Sequence, residues 1–519
     1  MHGANVQAVF HHGNGILGHT RYRKAVISLH RLSALLLAFL ILMVSPAARA
    51  ASSKPTATPP LYPRATLSPD APAYDPEHPE NLESDQLYCW SAILIEADSG
   101  DAIFEKNADD LRHPASLTKI MTVYLALTCV EDLYMTVTAS ERAVNVPSDS
   151  TTMKLQAGEE MPLMDVIYGT MLLSANDGAN VIAETVSGTI ENFVDLMNST
   201  AQLMGCTSTH FSNAHGYTDP THYTTPRDMA IIAREAMKLD DFRDIVSTYT
   251  YTLPSTNMSR ARTITNTNEL FNPGTEEKAN KYYYPYANGI KTGTTDAAQY
   301  CFVGSAEQDG VNLISVVMYS GSDSRWADTI KLMNYGFSQY TSITPIDLYN
   351  MNPITIETSS YSLQDANMGR LRLTCVAQNA TDAAKARITA TKTAIDAMAN
   401  RLKSTVMIQY DRDFKAPIEV GEVMGTMTYF LDNGDPVVYN LIASRSVAVR
   451  ENMPKTVDEI WNETMADPNP LPPLNSDMVL FLFGISLVIW GLLQLLLYLR
   501  RRHRRNHGHV PKIGRRYLK

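Results

Sequence analysis

Apolar residues in the middle of the chain follow two different periods. Short apolar runs at residues 92–95 and 102–104 flank Asp98-Ser99-Gly100, a pattern that predicts a β-hairpin. Apolar residues at helical spacing then predict a series of helices, at residues 114–130, 164–173, 179–186, 191–204 and 227–237. Strands followed by a run of helices indicate a sheet that is covered by helices.

The pattern returns to short apolar runs after residue 293. Residues 300–306 and 313–319 are predicted to form two strands on either side of Gln308-Asp309-Gly310, and residues 327–337 a closing helix. We therefore predict an α/β domain over residues 86–340, in which a mainly antiparallel sheet is covered by helices and accompanied by a helical lobe.

A second folded domain is predicted over residues 350–452. Its strand-like segments are short and separated by polar residues: 354–356, 371–374, 405–410, 423–431 and 437–442. Residues 383–402 have a helical pattern and form an insertion between these strands. This domain is therefore expected to be small and mostly β.

The N-terminal residues have the pattern of a targeting segment. Residues 1–50 contain five basic residues, no acidic residue, an apolar run at 32–44 and a small-x-small site that ends at Ala50. This pattern is typical of a cleaved secretory signal peptide; the alternative is a retained anchor, for which 13 apolar residues are short. Residues 51–85 are rich in Pro, Ser and Thr, which predicts a disordered linker.

The C-terminal residues predict a membrane anchor. Residues 478–499 contain no charged residue and are long enough to cross a bilayer as a helix. Five arginines follow within residues 500–505, and such a basic cluster remains on the cytoplasmic side. We predict a linker at 453–477, a transmembrane helix at 478–499 and a basic cytoplasmic tail at 500–519, with the folded domains on the cell-wall side of the membrane.

The distribution of charge excludes one class of partner. The chain has a net charge of −10, but residues 1–50 contribute +5 and residues 500–519 contribute +9, so residues 51–499 carry −24. A surface this acidic argues against binding of nucleic acid. The five cysteines are scattered without metal-ligand spacing, and the sequence predicts no metal, no cofactor and no disulfide framework.

Three short motifs contain the candidate chemistry: Ser116-Leu117-Thr118-Lys119, Ser174-Ala175-Asn176 and Lys291-Thr292-Gly293. Ser116 and Lys119 are three residues apart at the start of a predicted helix, so both side chains lie on one face. A serine is a poor nucleophile unless a base takes its proton, and a lysine can do so when burial or a second cation lowers its pKa. Lys291 is the candidate second cation.

The remaining motif residues have candidate roles towards a peptide. Ser174 could relay a proton between the lysines and a leaving amine, and Asn176 could contact a substrate amide. Gly293 would allow a peptide backbone to approach the strand edge, and Thr292 with Lys291 could hold a carboxylate. Each motif alone is common, but all three in this order predict an enzyme that transfers an acyl group through a serine nucleophile.

In this order the motifs resemble the S-x-x-K, S-x-N and K-T-G set of penicillin-binding proteins and class A β-lactamases. From Cys89 to Ile442 the chain resembles the D-alanyl-D-alanine carboxypeptidases, the low-molecular-mass penicillin-binding proteins. The supporting stretches are residues 113–122, 174–177, 211–216, 227–230, 289–293, 296–301, 416–418 and 421–425. Gln299 departs from the family, which usually has glycine there, and so does the insertion at 383–402.

The resemblance implies a transpeptidase/β-lactamase-like catalytic domain and a small C-terminal β-domain. Ser116 would be acylated by the penultimate D-Ala carbonyl of a peptidoglycan stem peptide, with release of terminal D-Ala and inhibition by β-lactams. It further implies an oxyanion hole formed by the backbone N–H groups of Ser116 and Thr294. Thr292 and Arg325 would bind the terminal carboxylate.

The resemblance also assigns supporting roles. Arg227 and Asp228 would brace the site, and the loop of His215 would be structural, so that His215 is not expected to be a general base.

Two other functions are compatible with the same motifs. A serine β-lactamase needs a water held by a glutamate, and the region after Ser174 has no evident E-x-x-x-N. A catalytically silent penicillin sensor or wall scaffold would not need all three motifs intact. The second domain and the anchor further favour the carboxypeptidase over a diffusible β-lactamase.

Overall fold

The structure is a computed structural model that describes residues 58, 59, 67, 71–275, 278–431, 434–451, 457–465 and 476–506. The predicted signal peptide, parts of the two predicted linkers and the tail from residue 507 on lie outside the described residues.

A five-stranded antiparallel sheet organises the first part of the chain. The strands up to residue 320 are β1 (Ser91–Glu96), β2 (Ala102–Lys106), β3 (Thr136–Thr138), β4 (Glu160–Pro162), β5 (Thr250–Leu253), β6 (Arg262–Thr265), β7 (Ala287–Thr295), β8 (Gln299–Gln308) and β9 (Val311–Ser320). Five of them form this sheet, in the order β2-β1-β9-β8-β7. Every residue of β1 is buried, and its apolar side chains alternate between two hydrophobic cores. Because helices cover both faces, the strand has the uninterrupted apolar run seen in the sequence.

Eight helices accompany this sheet in the part of the chain described up to residue 339. They are α1 (Lys119–Cys129), α2 (Glu141–Val144), α3 (Leu163–Leu172), α4 (Asn176–Ser187), α5 (Ile190–Leu203), α6 (Pro226–Met237), α7 (Asp240–Ser247) and α8 (Ser324–Gln339). Helix α1 packs against α3, α4 and α6, while α6 and α8 contact the sheet at β9. The predicted fold class is confirmed, with the helical lobe inserted between β2 and β7.

The predicted linker extends too far into the folded chain. Two short 3₁₀ turns, Pro79–Asn81 and Ser84–Gln86, lie in or begin within the stretch 51–85 that was predicted to be disordered. Leu82 packs into the core under α8, and the side-chain amide of Gln86 donates to the carbonyls of Pro72 and Ala73. Few apolar residues are needed here because each turn packs onto a core that other elements have already formed.

A second five-stranded sheet follows. The elements after residue 339 are β10 (Tyr340–Ile343), α9 (Pro345–Met351), β11 (Thr355–Glu357), β12 (Arg370–Ala377), α10 (Ala380–Lys385), β13 (Ile388–Thr391), α11 (Lys392–Asn400), α12 (Leu402–Thr405), β14 (Met407–Tyr410), β15 (Val423–Phe430), β16 (Pro436–Ala443), α13 (Val457–Met465) and α14 (Ser476–Asn506). The second sheet has the strand order β11-β12-β16-β15-β14. All five strands predicted from the sequence are present.

The insertion predicted as helical at 383–402 contains a strand as well. Strand β13 pairs antiparallel with β10, with Tyr340 opposite Thr391 and Ile343 opposite Ile388. Its β-branched residues, Ile388, Thr389 and Thr391, favour an extended backbone over a helix. The purely helical prediction was therefore wrong for residues 388–391.

By its internal contacts the chain divides into two compact units. The larger consists of residues up to 354 with 373–412 and 423–442, and the smaller of residues 355–372, 413–422 and those from 443 on. This division differs from the predicted limits of 86–340 and 350–452, because the β10–β13 pair joins the end of the first predicted domain to the insertion of the second. All predicted site residues lie in the larger unit.

The smaller unit ends in helix α14. Within the described part of the chain, Leu480–Arg502 is the one helical stretch long and apolar enough to cross a membrane, and its apolar side chains are exposed.

Candidate active site

The candidate nucleophile, Ser116, lies in a short turn that leads directly into a helix. Ser116 belongs to the 3₁₀ turn Ala115–Thr118, and Lys119 begins α1. The preceding residue, Ala115, has a left-handed backbone with φ 49°, a conformation that costs a non-glycine residue free energy. Buried Leu117 and Ile120 anchor the turn and the helix in the core, so Ser116 is presented by a rigid element.

Lys119 is buried and contacts three oxygens. Its Nζ lies 2.9 Å from Ser116 Oγ, 2.8 Å from Asn176 Oδ1 and 2.7 Å from the carbonyl oxygen of His215. The last two oxygens can only accept hydrogen bonds. In a neutral amine both N–H bonds are therefore used on Asn176 and His215, and the lone pair is left for the hydroxyl of Ser116.

The surroundings of Lys119 favour that neutral form. Burial holds the pKa of Lys119 well below its usual range, the positive charge of Lys291 lowers it further, and Asp177 acts in the opposite direction. The arrangement therefore has a base in contact with the hydroxyl that it would deprotonate.

The second motif lies at the turn between α3 and α4. Ser174 has a left-handed backbone with φ 67°, and Asn176 begins α4 and donates its backbone N–H to the Thr151 carbonyl at 2.8 Å. The side chain of Asn176 is thus brought to Lys119, a contact that the sequence did not predict, and its contact with a substrate amide stays a prediction. The structure gives the hydroxyl of Ser174 no hydrogen-bond partner among the described residues, and its function as a proton relay stays a prediction.

Strand β7 places the third motif beside the first. Lys291 is buried, and its Nζ lies 3.1 Å from the Thr292 carbonyl oxygen. Burial and the nearby charge of Arg325 lower the pKa of Lys291 to about 7. The hydroxyl of Thr292 is 2.6 Å from that of Thr267.

The structure requires a glycine at position 293 for a reason that the sequence did not suggest. A Cβ at this position would lie 2.9 Å from the Pro114 carbonyl oxygen and 3.3 Å from Ala115 Cβ. The space is thus taken by the turn that carries Ser116, rather than left open for a peptide backbone. The glycine allows close packing of nucleophile and strand, and its contact with substrate remains a prediction.

Arg325 lies in the first turn of α8 and reaches the end of β7. Its Nη1 donates to Thr294 Oγ1 at 3.3 Å, and its guanidinium lies over the rings of Trp326 and Tyr300. Its Nε is buried and has no partner among the described residues. Arg325 thus reaches Thr294, the residue after the third motif, with one donor unused, and its binding of a carboxylate together with Thr292 stays a prediction.

The segment at 214–217 supports the site through its backbone. The Thr122 hydroxyl donates to the Ala214 carbonyl at 2.6 Å, and the His215 carbonyl accepts from Lys119. Burial lowers the pKa of His215 to about 3, and its Nδ1 accepts the Tyr217 N–H. A neutral ring in this contact agrees with a structural role.

Arg227 and Asp228 contact other parts of the fold. Arg227 forms ion pairs with Glu105 and Asp109, and these tie the start of α6 to the β2 region. Asp228 accepts hydrogen bonds from the Ser208 N–H and the Thr209 hydroxyl. Neither is hydrogen-bonded to a predicted site residue among the described residues, so their role in bracing the site stays a prediction.

A cavity of about 420 Å³ opens at Ser116. Its lining residues are Ser116, Asp149, Ser150, Thr151, Asn176, His215, Gly216, Tyr217, Thr218, Thr294, Thr295, Asp296 and Ala297. They include three of the predicted site residues, whereas the other six are not among the described residues that line it: Lys119, Ser174, Lys291, Thr292, Gly293 and Arg325. It is an open, largely polar space that places the nucleophile within reach of a ligand.

Comparison with known proteins gives the family. The sequence pattern of the family described as "D-alanyl-D-alanine carboxypeptidase" matches residues 78–322. The D-alanyl-D-alanine carboxypeptidase of Streptomyces sp. strain K15 is 31% identical over 252 residues, which are 46% of this chain and 84% of that protein. The chain belongs to the D-alanyl-D-alanine carboxypeptidase family. DacF of Bacillus subtilis, a second carboxypeptidase of this name, is 28% identical over 370 residues, covering 70% of this chain and 86% of that protein.

A solved structure is also similar. The Streptomyces K15 DD-transpeptidase has 30% identity and a TM-score of 0.45, and the match covers 49% of this chain and 98% of that one.

Two residues that complete the site were not identified from the sequence. Gly216 has φ 89°, and a Cβ there would lie 1.8 Å from the Ala115 carbonyl oxygen, directly against the nucleophile turn. Asp177 accepts the N–H groups of Met153 and Leu155 and so fixes the segment that forms one wall of the cavity. The sequence signals were present, a glycine and an acid beside family motifs, but their partners are distant in the chain.

Proposed function

We propose that the protein is a serine-type D-Ala-D-Ala carboxypeptidase that removes the terminal D-Ala from peptidoglycan stem peptides through an acyl-enzyme on Ser116. The observation that carries this proposal is the environment of Lys119, whose two carbonyl-type partners leave its lone pair for Ser116 Oγ. Membership of the carboxypeptidase family supports the choice of substrate.

In the acylation step, Ser116 Oγ attacks the carbonyl carbon of the penultimate D-Ala while its proton passes to the neutral amine of Lys119. The tetrahedral intermediate collapses with cleavage of the C–N bond, and the leaving amine of the terminal D-Ala takes a proton, for which Ser174 is the proposed relay. Water then hydrolyses the ester and restores Ser116. These acylation and hydrolysis steps require no redox change and no metal ion.

The substrate is proposed to lie between β7 and Asn176. Arg325, with an unused buried donor, and Thr292 would bind the terminal carboxylate, with the charge of Lys291 behind them. The backbone N–H groups of Ser116 and Thr294 would receive the oxyanion, and Asn176 would contact the substrate amide. Gly293 would contribute by keeping the nucleophile turn close to this strand.

A β-lactamase is the main alternative, and the cavity argues against it. None of the described residues that line the cavity is a glutamate, the residue that holds the deacylating water in class A enzymes. Intact-protein mass spectrometry after incubation with a penicillin tests this directly. A persistent adduct that Ser116→Ala abolishes supports the proposal; rapid loss of the adduct with hydrolysis of the drug would favour the β-lactamase.

The proposed location is the cell-wall side of the membrane, with a single C-terminal anchor. The apolar stretch Leu480–Arg502 and the arginines at its end support an anchor with a cytoplasmic tail. The N-terminal signal pattern supports export of the catalytic part.

A further inference from the structure

A histidine outside the three motifs contacts the turn that carries Ser116. His222 is buried, and its Nε2 lies 2.8 Å from the hydroxyl oxygen of Thr118, the last residue of that turn. Its backbone carbonyl accepts from Nδ1 of His113, two residues before Ala115, at 2.8 Å. His222 therefore contacts the chain on both sides of Ser116, yet the mechanism described above gives it no function.

The hydrogen bonds of His222 fix which ring nitrogen carries the proton. The backbone N–H of Ser212 donates to Nδ1 at 2.9 Å, so Nδ1 is the unprotonated nitrogen. Burial lowers the pKa of His222 to about 3, and the neutral ring therefore has its one N–H at Nε2. This N–H donates to Thr118 Oγ1, whose own hydroxyl donates to the Ala115 carbonyl oxygen at 2.9 Å. Three hydrogen bonds thus run in one direction, from Ser212 to Ala115.

This chain of hydrogen bonds ends on the peptide group that contains the N–H of Ser116. The Ala115 carbonyl and the Ser116 N–H belong to one planar trans peptide unit, so the two bonds point in opposite directions. A hydroxyl that holds the carbonyl therefore also holds the direction of the N–H. Because hydrogen bonds in a chain polarise one another, the same contact makes this N–H a stronger donor.

Packing holds the members of this chain in place. The ring of His222 lies edge-on to the ring of Phe211, with 5.7 Å between their centroids. Thr118 is fully buried, and a Cβ at Gly216 would lie 2.9 Å from its hydroxyl oxygen and 1.8 Å from the Ala115 carbonyl oxygen. The left-handed Ala115, with φ 49°, thus has its carbonyl enclosed by groups that keep it in one orientation.

We propose that His222, acting through Thr118, positions the backbone N–H of Ser116 to receive the oxyanion formed during acylation. His222 is then a positioning residue that does not touch the substrate. The inference rests on the proposed function, because it adds a residue to the oxyanion hole proposed for the same site. An oxyanion hole stabilises the transition state more than the bound substrate, so the effect should appear in the rate constant of acylation.

Two substitutions separate the two ring nitrogens of His222. In His222→Gln the side-chain amide can donate near the position of Nε2, so the bond to Thr118 is kept and the one from Ser212 is lost. In His222→Asn the shorter amide can accept near the position of Nδ1, and the reverse holds. We expect acylation by penicillin to slow about tenfold in His222→Asn, less than the loss of a whole oxyanion donor, and about twofold at most in His222→Gln. The Kd of the initial penicillin complex should change in neither variant.

The direct readout is the ester carbonyl of the penicilloyl-enzyme, whose infrared stretching frequency falls when oxyanion-hole donors bind it. The band should move to higher frequency in His222→Asn and Thr118→Val, and stay at the wild-type position in His222→Gln and Thr118→Ser. The matched control is His210→Asn, because His210 is a half-buried histidine of the same segment whose Nδ1 donates to the Thr221 carbonyl. This control should keep both the wild-type rate and the wild-type band.

A purely structural role predicts equal losses in the two His222 variants, since each removes one hydrogen bond from a buried ring. Equal acylation rates in these variants, or a wild-type band in both His222→Asn and Thr118→Val, would overturn the inference. Thr118→Val leaves His222 in place and decides the question by its band if His222→Asn does not fold. A wild type that forms no ester on Ser116 would instead contradict the proposed function.

Discussion

At the residue scale, the site depends on two lysines whose charges repel each other within a buried region. Lys291 lowers the pKa of Lys119, and Arg325 in turn lowers that of Lys291. The positive charge of Lys291 thus favours loss of the proton from Lys119, the lysine in contact with Ser116. This explains how a lysine can act as the base near neutral pH.

A change at Lys291 tests this coupling. Lys291→Met removes a positive charge, so the pKa of Lys119 should rise and its neutral fraction at a given pH should fall. Since the neutral amine is the reactive form, the acid-side limb of the acylation rate should move to higher pH. The dependence of the acylation rate on pH is measured with a fluorescent penicillin. Lys238→Met, at an exposed lysine paired with Glu235, serves as the control, and an unmoved limb for Lys291→Met would contradict the coupling.

The sequence identified the side chains of the site more completely than its backbone groups. Ser116, Lys119, Asn176 and Lys291 were recognised because their types and spacing follow a motif. The His215 carbonyl that binds Lys119 could not be recognised, because every residue has a carbonyl and only the fold selects one. For the same reason, the packing of Gly293 against the turn that carries Ser116 was not identified from the sequence.

At the element scale, the nucleophile turn is held between β7 on one side and the 214–217 segment on the other. Gly293 packs against Pro114, and Gly216 packs against Ala115. Both contacts require the absence of a side chain. The left-handed backbone of Ala115 is kept in place by this close packing on both sides.

Gly216→Ala should therefore displace Ser116. Its Cβ would lie 1.8 Å from the Ala115 carbonyl oxygen, so we expect acylation by penicillin to slow by at least about 100-fold, the effect of a small misplacement in an active site. Gly205→Ala is the matched control, because Gly205 has φ 92° and no atom within 4 Å of its Cβ position. That variant should lose about 1 kcal/mol of stability and keep the rate. Acylation of Gly216→Ala at the wild-type rate would contradict this account.

Periodicity predicted the long helices and the central strands well, because each has an apolar face or an apolar run that the cores require. It missed the β3–β4 and β5–β6 pairs, whose residues are largely polar and half exposed, as in Thr250–Leu253. It also missed β13, where helical neighbours on both sides concealed four residues of extended chain. Short elements of this kind are defined by their partners more than by their own pattern.

At the scale of the whole molecule, an acidic main part, residues 51–499, precedes a basic C-terminal tail, and one exposed apolar helix lies at the junction. Exposed apolar side chains along the whole of Leu480–Arg502 would be costly in water, and a bilayer removes that cost. The predicted anchor therefore agrees with the exposure of this helix, whereas the predicted signal segment lies outside the described residues.

Deletion of residues 476–519 tests the anchor. The full-length protein should sediment with membranes and resist extraction by alkaline carbonate, whereas the truncated protein should be soluble without detergent. The site residues all lie before residue 355, so the truncated protein should still be labelled by penicillin. Recovery of the full-length protein in the soluble fraction would argue against the anchor.

The central claim is that Ser116 carries the acyl group during removal of terminal D-Ala. The most direct measurement is the release of D-Ala from Nα-acetyl-L-lysyl-D-alanyl-D-alanine by the wild type, Ser116→Ala and the control Ser99→Ala, an exposed turn serine. We expect turnover by the wild type and the control, and a loss of at least about 1000-fold in kcat/KM for Ser116→Ala. Release at the wild-type rate by Ser116→Ala, or a wild type that binds penicillin but releases no D-Ala, would contradict the account.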